Sequence, residues 1–60
     1  MERVLAIYFM DQYESRIIKE ELTDDEVEEI AESWINKQNR TLKKENILDE
    51  IFKEMHNRCL

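Results

Sequence analysis

The alternation of apolar and polar positions is clearest in the middle of the chain. Val27, Ile30, Ala31, Trp34 and Ile35 recur at i, i+3, i+4, i+7 and i+8, which marks one face of a 3.6-residue period. Thr23 stands just ahead of this stripe, with Glu26 three positions on. That is capping-box spacing: the hydroxyl accepts from the backbone N–H of Glu26, and the Glu26 carboxylate reaches back to the N–H of Thr23. Leu22 and Val27 occupy the positions of a hydrophobic staple. Asp24, Asp25 and Glu26 meet the positive end of the helix dipole. The pattern predicts a helix over 24–38, ending near Gln38-Asn39-Arg40.

A second apolar line runs through Leu42, Leu48, Ile51, Phe52, Met55 and Cys59, with Ile47 beside it. Thr41 is placed to cap this helix, and Asp49–Lys53 has the acid-first i,i+4 order that supports one. A connection as short as Asn39–Thr41 predicts two antiparallel neighbours.

The first 22 residues admit two readings. Val4 to Met10 is a continuous apolar run, aromatic and partly β-branched, and Arg16 to Leu22 is a second strand candidate. The polar stretch 11–15 between them suits a hairpin loop. The rival is one amphipathic helix through Leu5, Phe9, Tyr13 and Ile17. Absence of glycine favours the helix, because tight hairpins prefer Asn-Gly or Asp-Gly tips. The unbroken apolar run, and the chain break that Thr23 requires, favour the hairpin. The expected fold class is therefore α+β: a β-hairpin followed by two antiparallel helices (ββαα), one small domain over residues 1–60. The alternative is an all-α three-helix bundle.

Length sharpens the picture. A chain of 60 residues buries only roughly 60% of the surface its unfolded form exposes, so small domains lean on disulfides, metals or partners. Cys59 is the single cysteine and closes no internal bridge. A binding partner or a second copy becomes the expected support, and two open strand edges would give a homodimer its surface. A lone thiol also fits a reducing compartment. The Val4–Met10 run is far short of the roughly 20 residues of a spanning helix and lacks signal-peptide flanks. The expected location is the cytoplasm, with no membrane contact.

The formal charge of −6 is unevenly spread. Residues 1–20 sum to −1, residues 21–36 to −7 with no base at all, and residues 37–60 to +2. Nucleic-acid binders present a basic face, so direct nucleic-acid binding is not expected. The aromatics Trp34 and Phe52 lie on apolar stripes and are expected in the core rather than stacked on bases.

Catalysis has little to work with. With neither glycine nor proline, the phosphate-binding loop, the dinucleotide fingerprint and the nucleophile elbow are all excluded. Cys59 with His56 is the one nucleophile–base pair, at i,i+3, with no orienting third group. No enzyme activity and no catalytic residue are expected. No metal or cofactor is expected either: the acids of 24–32 lack the glycine turn of a calcium loop, and zinc wants three or four protein ligands.

What remains is the acidic ridge. Asp25, Glu28, Glu29 and Glu32 share the exposed side of the predicted helix. Like charges at i,i+4, as in Asp24–Glu28 and Asp25–Glu29, each cost a few tenths of about 1 kcal/mol. Stability alone would intersperse lysines. The ridge is therefore the candidate partner-binding surface, with Tyr13 at the hairpin tip as a second contact. The expected partner is a basic or nucleic-acid-binding host protein, steered by charge, with the ridge imitating a phosphate row. In length and Lys/Glu/Asn/Ile-rich makeup the chain resembles the short accessory proteins of bacterial viruses and other mobile elements. No motif carries that likeness; it implies a stoichiometric inhibitor, antitoxin or adaptor. The alternatives are a structural or regulatory homo-oligomer and a small transcriptional regulator using the Lys43–Lys44 helix.

Overall fold

A computed structural model describes residues 1–38 and 43–60. Among these the secondary structure is three helices and no strand: α1 over Glu2–Glu20, α2 over Asp24–Lys37 and α3 over Lys44–Asn57. The alternative architecture is the observed one, and the ββαα, α+β expectation is overturned. Residues 4–10 and 16–22 are not paired strands, and 11–15 is no loop; all but Glu21 and Leu22 belong to α1.

The physical reason lies in which apolar residues are buried. Leu5, Ala6, Phe9, Met10 and Ile17 face the core, a helical stripe. Val4, Tyr8 and Ile18 point outward, 46%, 57% and 53% exposed. These wet-side apolar residues fill the gaps in the stripe and give the run its strand-like continuity. The break ahead of Thr23 is made by two residues. Glu21 takes the left-handed conformation (φ 50, ψ 47) and its N–H donates to the Ile18 carbonyl at 3.4 Å.

The helices run up, down and up. Arg3 pairs with Glu50 and Glu54, and further along both segments Asp11 and Glu14 pair with Arg58, so α1 and α3 lie parallel. Trp34 Nε1–H donates to Gln12 Oε1 at 3.0 Å, while Tyr13 and Arg16, further along α1, border Glu29 and Ile30, nearer the start of α2. Thus α2 is antiparallel to α1. The core is one cluster in which Phe9, Met10, Val27, Ile47 and Ile51 are fully buried. Trp34 is 7% exposed and meets Phe9 edge-on with centroids 5.6 Å apart. Phe52 and Leu22 are partly buried against the same cluster.

α2 follows its sequence pattern closely, stopping at Lys37 with Gln38 as C-cap. For α3, the expected cap Thr41 and apolar Leu42 fall outside the described residues, as does the Asn39–Thr41 connection. Helix α3 opens at Lys44, with Lys43 as an N-cap that supplies no side-chain bond. Lys53 pairs with Glu50 at 3.3 Å rather than in the expected Asp49 pair. Glu50 already faces Arg3, so the three charges group together.

Candidate functional site

The ridge is built on the cap that starts α2. Thr23 N–H donates to Glu26 Oε1 at 3.0 Å, and Glu26 N–H donates to Thr23 Oγ1 at 3.3 Å. The hydroxyl donates to the same carboxylate at 3.0 Å. These bonds, that of the Thr23 backbone first and the hydroxyl second, hold the Glu26 carboxyl below its ordinary value of 4.5. Glu26 is thus committed to the cap. With Val27, Ala31, Trp34 and Ile35 buried, the 100° turn per residue leaves Asp25, Glu29 and Glu32 on the opposite side, with Glu28 beside them.

The ridge residues differ in what they touch. Glu32 is half-exposed and its Oε1 lies 4.0 Å from Lys44 Nζ, across to the start of α3. Asp24, Asp25, Glu28 and Glu29 are exposed, and among the described residues none has an ion-pair partner. On the other two helices five of the eight carboxylates are paired. Arg58 donates to Glu14 at 2.7 Å, Glu54 at 3.0 Å and Asp11 at 3.1 Å, which raises its already high pKa and keeps it charged at any pH the fold meets. Arg3 lies 3.4 Å from Glu50 and 3.6 Å from Glu54, and Arg16 donates to Glu20 at 2.9 Å. On α1 and α3, Asp11, Glu14, Glu20, Glu50 and Glu54 hold helices together or clamp their own turn, while Glu2, Glu45 and Asp49 have no ion-pair partner among the described residues. The carboxylates on the outer side of α2 face solvent.

Tyr13 is not a loop-tip contact. It sits within α1, half-buried, its ring stacked on Phe9 at 4.8 Å and packed against the core. The structure nevertheless brings it near the ridge: Tyr13 and Glu29 line one shallow groove of about 310 Å³ with Arg16, Ile30, Ser33, Trp34 and Lys37. Tyr13 thus borders the candidate surface at its α1 edge, while Asp25, Glu28, Glu29 and Glu32 stay together on α2.

His56 and Cys59 do not share a helix face. Helix α3 ends at Asn57, and Cys59 lies beyond it at φ 58, exposed, its N–H donating to the His56 carbonyl at 3.1 Å. Among the described residues no group of three or more His, Cys, Asp or Glu side chains is arranged to hold a metal ion. No described helix is long and apolar enough to cross a membrane.

Sequence reasoning missed a second concave feature. An apolar groove of about 370 Å³ opens where the C-terminal ends of α1 and α3 meet the start of α2, between Ile17, Ile18 and Leu22 on one side and Met55 and Leu60 on the other. Its walls are some 40 positions apart in the chain, so no local spacing announces it. The outward-facing Ile18 was the one available signal.

Among the described residues fold and surface together define a three-helix bundle whose middle helix exposes acids that, Glu32 apart, have no ion-pair partner. No protein-family model, no curated protein and no solved structure matches the chain.

Proposed function

We propose that the protein is a stoichiometric binding protein, of inhibitor, antitoxin or adaptor type, that docks the outer face of α2 on a basic surface of a partner protein. The observation that carries this reading is the concentration of unpaired carboxylates at the start of α2. Asp11, Glu14, Glu20, Glu50 and Glu54 each face an arginine of the same chain. Among the described residues Glu2, Glu21, Glu45 and Asp49 face none, and neither do Asp24, Asp25, Glu28 and Glu29, which alone are gathered four within six positions. An uncompensated charged face speeds encounter with a surface of opposite sign and discourages other partners. A row of carboxylates along a helix also suits a site that ordinarily holds nucleic-acid phosphates. The exposed lone thiol, Cys59, is in keeping with action in the reducing cytoplasm.

The test is affinity capture with two baits, the parent and an Asp25→Asn, Glu28→Gln, Glu29→Gln variant. Glu32 is left intact because it faces Lys44. The reading expects one basic protein, retained stoichiometrically by the parent, released by salt and lost from the variant. Equal retention by both baits would contradict it.

A second reading, self-association, is favoured by one observation. Strand edges no longer support it, but Val4 and Tyr8 are exposed one turn apart on the outer side of α1, with Met1 nearby at 73% exposure. Sedimentation of the parent against Tyr8→Glu decides it. A dimer that the substitution dissociates supports this reading, and a parent that stays monomeric at hundreds of micromolar removes it.

A further inference from the structure

The groove at the end of the bundle has a lining that matches the acidic face beside it. Its floor and walls are apolar: Ile17, Leu22 and Met55, with Ile18 at 53% and Leu60 at 41% exposure on the rim. Its charged lining residues, Glu21 and Asp24, are both acids. Each of the other surface depressions described is lined by at least one arginine or lysine. Asp24 also belongs to α2, and Glu28 lies one helical turn further along the same side. An apolar recess edged by acids and continuous with an acidic helix is complementary to one kind of segment. That segment carries an apolar side chain flanked by lysines or arginines. Interfaces take most of their affinity from a few anchor residues in desolvated pockets, while rim charges set encounter and register.

We propose that this groove seats an apolar side chain from a basic segment of the partner, with the segment's cationic residues against Glu21, Asp24 and Glu28. The inference rests on the reading of α2 as a partner-binding face and adds the anchor point that the ridge lacks.

Cys59 lines the groove and is the only thiol in the chain, so its alkylation rate reports occupancy. The probes are three synthetic helix-forming peptides: one lysine-rich with a leucine stripe, one with glutamine for each leucine, and one with glutamate for each lysine. Each is titrated against the full chain, against Ile18→Ser, and against the Asp25→Asn, Glu28→Gln, Glu29→Gln variant. Circular dichroism checks that the variants fold. The lysine–leucine peptide is expected to bind at least tenfold tighter than the other two and to slow alkylation of Cys59 at least fivefold. Ile18→Ser is expected to abolish most of that advantage. Equal binding of the leucine and glutamine peptides, both weakened by the ridge variant, would overturn the groove and leave the ridge reading standing. Absence of binding by either lysine peptide would overturn both. Equal binding of the glutamate–leucine peptide would overturn the basic character of the occupant. Slowing of alkylation on concentrating the protein alone would make the occupant a second copy and overturn the proposal.

Discussion

Glu21 holds a left-handed conformation, φ 50 and ψ 47, in a chain without glycine. That region costs a non-glycine residue about 1–2 kcal/mol, and helices commonly end on glycine for this reason. Glu21→Gly is expected to raise stability in urea by up to about 1 kcal/mol, part of the gain being offset by a freer unfolded chain. A loss would show that the Glu21 side chain contributes more to the turn than its backbone strain costs. Two residues further on, the Thr23–Glu26 box works in the other direction. Thr23→Ala is expected to cost about 0.5–2 kcal/mol. It should also return the Glu26 carboxyl, read by NMR titration, toward its ordinary value of 4.5 from below. Because the folded value is depressed, the contribution of Glu26 is complete above 4.5 and is lost as the pH falls through that lower value. An unmoved titration midpoint in Thr23→Ala would remove the box as its cause.

At the scale of elements, α2 was legible because cap, staple and stripe agree within a few residues. Helix α1 was not. Its outward Val4, Tyr8 and Ile18 hide the period, and the hairpin reading followed from that continuity. Tyr13 was then misplaced at a loop tip, although its stacking on Phe9 is an ordinary i,i+4 contact once the segment is helical. Ser15→Pro separates the two architectures. Ser15 is exposed in α1, where proline removes a backbone bond and costs about 3 kcal/mol or more, enough to unfold so small a bundle. In a hairpin loop the same change would be mild, so a folded Ser15→Pro protein would contradict α1. Between α1 and α2, Trp34 fills the space against Phe9 and donates to Gln12. Trp34→Ala is expected to cost about 3–5 kcal/mol, read as loss of the cooperative thermal transition. Retention of that transition would move Trp34 out of the core.

At the scale of the whole molecule, 31 × 20 × 17 Å, the bundle separates its charges. Arg3 and Arg58 tie α1 to α3 through four carboxylates, and the acids of α2 are left facing outward. The ridge was legible as a block of acids at helical spacing. The Lys44 contact of Glu32 and the terminal groove were not, because both join residues distant in the chain. The most direct measurement is the association rate of the captured partner with the parent and with the Asp25→Asn, Glu28→Gln, Glu29→Gln variant, from about 0.1 M to about 1 M salt. Screening shortens the reach of charge from about 10 Å to about 3 Å over that range. The parent is expected to associate roughly tenfold or more faster at the low end and to slow steeply with salt. The variant, with stability within about 1 kcal/mol of the parent because it loses like-charge repulsion along with dipole attraction, is expected to be slow throughout and nearly flat. Equal rates for the two proteins at every salt concentration would contradict the account and leave the outer face of α2 as solvated surface.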